Sequence, residues 1–202
     1  MKSVLALVFV AVAVSANNPH DYVCSNVDAV FMVDSSQSIT SENFYKVTKY
    51  MQQFVSLYNV GTGPSQAQFG GIVFNDNVRL SWPLSKYPTK QSLIVNLDQL
   101  PYTVGTTNLE RAFERVQSIL TGPDARPASC KAVIMFTDGW ADQGSQQQRY
   151  ANIIRNDLKA TIISIAVEGI NGFLDPFNQR ALEQLSGNSK YVFHLNQLIP
   201  GF

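Results

Sequence analysis

The sequence predicts an α/β fold: a doubly wound, mostly parallel sheet of six strands, with one antiparallel edge strand and helices on both faces. Three apolar runs, 27–33, 131–137 and 161–167, are nearly unbroken, as expected for strands buried on both faces. Segments with apolar residues at helical spacing lie between them. Strands that alternate with helices in this way are typical of a parallel sheet covered by helices.

The first half of the chain gives a strand, a helix and a hairpin. The run 27–33 is followed by a helical pattern that begins at Thr40 or Ser41, either of which suits an N-cap. A glycine-rich break separates this helix from a strand over 69–74. A turn of Asn and Asp residues joins that strand to its hairpin partner over 78–82, which is the predicted antiparallel edge.

The second half of the chain repeats the alternation of helices and strands. Its predicted elements, in chain order, are helices over 90–100 and from Asn108 to the break at Gly122, a strand over 131–137, a helix through 150–158, a strand over 161–167, a helix over 176–185 and a last strand over 191–195. No internal repeat or linker-like tract interrupts the sequence, so 27–202 is predicted to be a single domain.

The N-terminal residues are typical of a secretory signal peptide. A positive start precedes the apolar run 4–14, and the small residues Val14 and Ala16 occupy the positions that a signal peptidase prefers. The alternative is an uncleaved anchor, but the run is shorter than the roughly twenty residues that a spanning helix needs. We therefore predict a signal peptide over 1–16, an N-terminal arm over 17–26, no membrane span and a secreted, extracellular protein.

Composition and charge exclude several classes of protein. The 202 residues are 45% hydrophobic, which excludes a disordered chain. The 15 Lys and Arg balance 15 Asp and Glu, and without a basic field no nucleic acid is expected as a partner. With two His and no Gly-x-Ser-x-Gly motif, a Ser-His-Asp hydrolase has no support.

Oxygen-bearing side chains follow the predicted strands where the strands end. Asp34 and Asp138 each close a buried strand, Ser36 and Ser38 follow the first of them, and Thr107 lies in a loop before a helix. Ligands of an open α/β sheet bind at the carboxyl ends of its strands. Two carboxylates and three hydroxyls suit a hard cation such as Mg²⁺, leave a position for an outside carboxylate, and disfavour zinc or copper.

The same residues carry a resemblance to a known family. The segments DSSQS (34–38), GTTN (105–108) and TDG (137–139), in this order, resemble the three motifs of the von Willebrand factor type A domain family, which includes integrin inserted domains and matrilin and collagen modules. The resemblance covers the chain from about Val27 to the C-terminus. The loop around GTTN (105–108), called the threonine loop below, departs from the family's Gly-Gly-Thr-x-Thr pattern, although Thr107 keeps the ligand position.

The resemblance implies a metal-ion-dependent adhesion site in which a Glu or Asp of the partner completes the coordination of the metal. The implied metal-binding residues are Ser36, Ser38 and Thr107 as ligands, with Asp34 and Asp138 acting partly through bridging waters. Mg²⁺ is the expected cation, with Mn²⁺ and Ca²⁺ as alternatives. Four residues are expected to form a rim that contacts the partner: Gln37, Thr106, Gly139 and Trp140. The alternatives are that Asp34 caps a helix, that the serines and Asp138 form ordinary turns, and that Trp140 packs under its loop.

The two cysteines, Cys24 and Cys130, are predicted to form a disulfide. Export to an oxidising compartment favours a bridge over two separate thiols. In the fold that the resemblance implies, the strands ending at the two aspartates are adjacent and parallel. Both cysteines then fall at the amino edge of the sheet, where a bridge is feasible and anchors the N-terminal arm away from the metal.

The predicted function is therefore a secreted binding module that captures an exposed Glu or Asp of an extracellular protein, either a matrix protein such as collagen or a receptor. The alternative is a component of matrix assembly, in which the metal serves cohesion or stability and the chain self-associates. A metal-dependent hydrolase is the weakest hypothesis because no suitable general base accompanies the site. The protein is predicted not to be an enzyme.

Overall fold

The structure, a computed structural model, describes residues 26–139, 146–168 and 175–198. The strands of this part of the chain are β1 (Val27–Asp34), β2 (Ala67–Phe74), β3 (Val78–Trp82), β4 (Cys130–Thr137), β5 (Thr161–Ala166) and β6 (Val192–His194). Its α-helices are α1 (Ser41–Ser56), α2 (Lys90–Asp98), α3 (Leu109–Leu120), α4 (Gln147–Asn152), α5 (Pro176–Ser186) and α6 (Leu195–Leu198). Short 3-10 turns cover Gln37–Ile39 and Ser189–Tyr191, and a π-helical turn, Ile153–Asp157, continues α4.

The strands form one sheet in the order β3-β2-β1-β4-β5-β6. All neighbouring strands are parallel except β2 and β3, which form the antiparallel hairpin at one edge. This arrangement confirms the predicted fold class. The order runs outward in both directions from β1 and β4, so the point where strand order reverses lies between these two strands.

The helices cover both faces of the sheet because the central strands are apolar on both sides. Along β1, Phe31 and Val33 pack in one core with residues of α1, α2 and α6. The alternate residues Val30 and Met32 pack in a second core with residues of α3, α4 and α5. Successive side chains of a strand point to opposite faces, so a two-sided core requires the unbroken apolar run seen in the sequence.

The parallel register of β1 and β4 brings the two aspartates to the same edge of the sheet. Val33 is paired with Phe136, and Asp34 and Asp138 follow at the carboxyl ends of these neighbouring strands. The loop after β2 reaches the same edge because Asp34 is paired with Phe74. Three chain segments that are distant in sequence therefore meet at the switch point.

An ion pair occupies the opposite, amino edge of β1. The Asp28 carboxylate is fully buried and accepts hydrogen bonds from the Arg126 amide at 2.7 Å, from Arg126 Nε at 2.8 Å and from Ser129 Oγ at 2.6 Å. Arg126 also donates to the carbonyl oxygens of Gly63 at 2.7 Å and Val27 at 2.9 Å. One guanidinium, carried by the loop before β4, thus joins β1 and the loop before β2.

The last strand is one place where the structure differs from the sequence-based elements. The last strand was predicted over 191–195, but Tyr191 belongs to a turn that Asn188 caps, and Leu195 begins α6. Pairing with β5 extends only from Val192 to His194, which sets the length of β6. Among the described residues, no helix combines the length and the apolar character needed to cross a membrane. The predicted signal peptide (1–16) lies outside the described residues, as does nearly all of the arm.

Candidate metal centre

The Asp34 carboxylate shapes the loop after β1. Its Oδ1 atom accepts a hydrogen bond from the Ser36 amide at 2.8 Å, and its Oδ2 atom accepts one from Thr137 Oγ1 at 2.7 Å. The first bond turns the chain back toward Asp34, and Ser36 Oγ then lies 3.3 Å from Ser38 Oγ. Asp34 and Ser36 are each 1% exposed, so a carboxylate and a hydroxyl are held together with little access to water.

The threonine loop is attached directly to the Asp34 loop. The Gln37 amide donates to the Gly105 carbonyl at 3.0 Å, and Thr107 is 2% exposed. Asn108 then begins α3, because its Oδ1 atom accepts from the Arg111 amide and caps the helix. Thr107 is therefore fixed between a contact to the first loop and a helix N-terminus.

Asp138 is the first residue after β4 and is also buried. Thr137 precedes it, and its hydroxyl both donates to Asp34 and accepts from the Gly139 amide at 3.2 Å. Gly139 has a φ of 80° and is buried, and a Cβ atom there would lie 2.9 Å from the Asn178 carbonyl oxygen. The close approach of α5 and the left-handed backbone together explain why glycine follows Asp138.

Burial raises the pKa of Asp34 to about 7, although hydrogen bonds from Ser36 and Thr137 lower it in part. The nearby charge of Asp138 adds to the rise. Two buried carboxylates thus lie at one edge of the sheet, and the groups that bond to Asp34 are a neutral amide and a neutral hydroxyl. A divalent cation at this edge would offset the cost of burying the two charges.

The donor set fits a hard cation. Carboxylate and hydroxyl oxygens are the ligands that Mg²⁺, Mn²⁺ and Ca²⁺ accept in proteins. In the described part of the chain, no cluster of three or more His, Cys, Asp or Glu residues offers a different site. The two carboxylates and three hydroxyls at this edge of the sheet therefore fit the hard cation that the sequence predicts.

The predicted site residues fall into three groups. Asp34, Ser36, Thr107 and Asp138 are buried, and Ser38 is half-buried beside them. Of the predicted rim, Gln37 and Thr106 are exposed, whereas Gly139 is buried. Trp140 lies outside the described residues. The roles of these side chains in binding metal or partner stay predictions.

Of the two cysteines in the predicted disulfide, only Cys130 lies within the described residues. Cys130 begins β4 at the amino edge, where it is paired with Val27 and its amide donates to the Asn26 carbonyl at 3.2 Å. Cys24 lies outside the described residues, so the pairing stays a prediction.

Three polar residues that support the site were not predicted from the sequence. Ser35 Oγ lies 2.9 Å from the Phe74 carbonyl oxygen and 2.8 Å from Thr103 Oγ1, which ties the Asp34 loop to β2 and to the threonine loop. Asn75, described above only as part of a turn, is fully buried and bonds to the Thr103 side chain and carbonyl. Its position after β2, at the same sheet edge as Asp34, was the available signal.

A doubly wound sheet with buried carboxylates and hydroxyls at its switch point is the architecture of a von Willebrand factor type A domain. The model of this family matches residues 28–198, and the chain belongs to the family. Human matrilin-1 is 32% identical over 171 residues, which cover 83% of this chain and 33% of matrilin-1. The human collagen alpha-5(VI) chain is 30% identical over 169 residues, which cover 83% of this chain and 6% of that collagen. This chain therefore spans a third or less of the length of these two relatives.

Solved structures share the fold. Proximal thread matrix protein 1 from the mussel byssus superposes with a TM-score of 0.71 at 22% identity, over 86% of this chain and 43% of that one. Another structure of that protein, with a zinc-occupied metal-ion-dependent adhesion site, gives 0.71 at 24% identity over 85% and 41%. Manganese-loaded Plasmodium vivax TRAP protein gives 0.68 at 21% identity over 85% and 69%. At these identities the likeness concerns the fold.

Proposed function

We propose that this protein is a secreted adhesion module that captures an exposed Glu or Asp of an extracellular protein through a divalent cation. The observation that carries the proposal is the meeting of buried Asp34, Ser36, Thr107 and Asp138 at the switch point of the sheet, with Ser38 beside them. Burying two carboxylates among other oxygen atoms has a high electrostatic cost, and a bound cation would offset that cost.

Each residue has a separate part in the proposed site. Ser36, Ser38 and Thr107 offer neutral oxygens as ligands, while Asp34 orients the serine loop through the Ser36 amide and Asp138 contributes the second carboxylate. With few anionic ligands, the bound cation would supply an electron-poor coordination position that a carboxylate of the partner can fill. Gln37 and Thr106, which are exposed, are the residues that we propose to contact the partner around that carboxylate.

The comparisons support the extracellular part of the proposal. Relatives include matrilin-1 and collagen VI chains, and structures with the same fold include one loaded with manganese and one with a zinc-occupied adhesion site. Mg²⁺ remains our proposed physiological cation because the donors are hard oxygens, with Mn²⁺ and Ca²⁺ as alternatives. Recognition of a partner requires no turnover, so we propose no enzymatic activity.

A second candidate function is a component of matrix assembly in which the cation serves cohesion or stability. The fold likeness to a thread matrix protein favours this candidate. It predicts self-association of the protein that increases with concentration and is reversed by a chelator. The adhesion module predicts instead a chelator-sensitive complex with a different extracellular protein.

The test of the metal site is calorimetry of Mg²⁺ and Mn²⁺ binding to the chain without its predicted signal peptide. Asp34→Ala and Thr107→Ala should each abolish measurable binding while circular dichroism shows that the fold persists. Asp98→Asn is the matched control, because Asp98 is an exposed carboxylate that bonds to Lys49 and Gln52 on the surface. A wild-type chain that binds neither cation, even with free carboxylate present, refutes the adhesion site.

The test of the partner is capture of extracellular proteins with and without a chelator. Binding that needs the cation, and that is lost when an acidic residue of the captured protein is changed to its amide, supports carboxylate capture. Binding that survives in the chelator contradicts it.

A further inference from the structure

We propose that Asn75 is a positioning residue of the metal site: it fixes the segment 103–108 so that the Thr107 hydroxyl is held at the carboxyl edge of the sheet. This inference rests on the proposed metal site, and it assigns to this chain a supporting residue outside the three motifs of that site. Asn75 directly follows β2 and is fully buried.

The side-chain amide of Asn75 holds the beginning of the segment. Its Nδ2 atom donates to the Thr103 carbonyl oxygen at 3.0 Å, to Thr103 Oγ1 at 3.2 Å and to the Val104 carbonyl oxygen at 3.3 Å. The two carbonyls belong to consecutive peptide groups, so these bonds define both the position and the direction of the chain as it enters the threonine loop.

The backbone of Asn75 holds the end of the segment. Its carbonyl oxygen accepts a hydrogen bond from the Asn108 amide at 2.8 Å. Asn108 is the N-cap of α3, so the same bond fixes the start of that helix. Thr107 lies between the two attachments, and its position depends on Asn75 from both sides.

The middle of the segment approaches Asn75 too closely for a side chain. A Cβ atom on Gly105 would lie 2.8 Å from Asn75 Nδ2 and 2.5 Å from Asp76 Oδ1. Glycine at this position allows the close approach, and the Gly105 carbonyl accepts a hydrogen bond from the Gln37 amide at 3.0 Å. This bond joins the segment to the Asp34 loop. The position of segment 103–108 therefore also affects the positions of Ser36 and Ser38, which flank Gln37.

The acceptor side of the amide is also occupied, which fixes its orientation. Asn75 Oδ1 accepts from Arg79 Nε at 2.6 Å and from the Asn77 amide at 3.2 Å. With donors on one side and carbonyls on the other, only an amide satisfies both sets of partners. A carboxylate of the same shape would keep the bonds to Arg79 and Asn77 and would face the Thr103 and Val104 carbonyls with a second acceptor.

The variant Asn75→Asp therefore tests the inference with little change in volume. We expect the affinity for Mg²⁺, measured by calorimetry, to fall by about 10- to 100-fold, which is the usual effect of removing a group that orients metal ligands. In the metal-free protein, we expect faster hydrogen exchange of the Gln37 amide, which reports the contact to Gly105. The Cys130 amide, at the opposite edge, should exchange as in the wild type.

Ser129→Ala is the matched control for a general loss of stability. It removes a partly buried hydrogen bond to Asp28 at the amino edge, so the free energy of unfolding should fall while Mg²⁺ affinity stays within about twofold of the wild type. An Asn75→Asp variant that also binds Mg²⁺ within that twofold range overturns the inference. The same conclusion follows if its Gln37 amide exchanges as slowly as in the wild type.

A second variant keeps the test decisive if Asn75→Asp does not fold. Thr103→Val keeps the shape of the side chain and removes the hydroxyl that contacts Asn75 and Ser35. A several-fold loss of Mg²⁺ affinity supports the inference, and unchanged affinity overturns it. A wild-type chain that binds no cation refutes the proposed function instead, and the Gln37 exchange in the metal-free protein then still decides whether Asn75 holds the loop.

Discussion

Arg126→Ala should remove the counter-charge of a carboxylate that is fully buried. The change deletes the contacts of Arg126 Nε at 2.8 Å and Nη2 at 2.6 Å to the Asp28 carboxylate, and it also leaves the Gly63 and Val27 carbonyls without these donors. The Arg126 amide and the Ser129 hydroxyl would remain, so Asp28 would stay bonded but lose its ion-pair partner.

The magnitude follows from the burial of the pair. Breaking a buried ion pair from one side costs about 3–5 kcal/mol, against about 0–1 kcal/mol for a surface pair. Asp28 is 0% and the Arg126 side chain 18% exposed, so we expect a loss of about 3 kcal/mol or more in the free energy of unfolding. Urea denaturation measures this loss, and Asp28→Asn, alone and combined with Arg126→Ala, completes a double-variant cycle.

Two results would refute this reasoning. A loss below about 1 kcal/mol would mean that water screens the pair as it screens a surface ion pair. A change in Mg²⁺ affinity would mean that the amino edge is coupled to the carboxyl edge, which the geometry does not predict. Lys49→Ala, which removes an ion pair at 2.7 Å on the exposed surface, is the control and should lower the free energy of unfolding far less than Arg126→Ala does.

Three further changes test other parts of the structure. Gly71→Ala should cost about 1–3 kcal/mol in urea denaturation, because its Cβ would lie 2.2 Å from Cζ2 of buried Trp82, whereas a Trp82→Phe background should reduce this cost. Tyr50→Phe should raise the midpoint of thermal unfolding, because the buried Tyr50 hydroxyl has no hydrogen-bond partner among the described residues. A fall in the midpoint would mean that this hydroxyl does form a stabilising hydrogen bond. In the presence of a chelator, the free energy of unfolding should decrease as the pH rises from about 4 to about 7. The reason is that the pKa of Asp34 in the folded state, about 7, lies above its ordinary value of 3.8. The dependence on pH should be weaker in Asp34→Asn.

The buried strands and the aspartates at their ends could be predicted from the sequence because each depends on a local pattern. A strand buried on both faces must be apolar throughout, so Asp34 and Asp138 mark where β1 and β4 leave the core. The strand bounds that failed depend on a neighbour instead. β6 ends at His194 because its pairing with β5 stops at Ala166, and nothing in residues 191–195 themselves records this.

The supporting contacts of the candidate site could not be predicted, for a related reason. Asn75 and Thr103 are separated by 28 residues and meet only after β2 and the threonine loop reach the same edge. In the sequence, Asn75 belongs to a polar turn, and such turns suit Asn for local reasons as well. Hydroxyl and carboxylate ligands can be recognised by residue type and spacing, whereas the only sequence signal for the Asn75 amide is its position directly after a strand.

The two charged groups of β1 are separated by most of the length of one strand. From Asp28 to Asp34 the strand rises by about 20 Å, at roughly 3.3 Å per residue. That distance is about 2.5 times the roughly 8 Å screening length of physiological salt, so charges added to exposed loops at one end are felt weakly at the other. Loops at the carboxyl edge can therefore be exchanged for others of different charge while the amino edge keeps the sheet stable. This fold is in that respect a suitable scaffold for engineering binding loops.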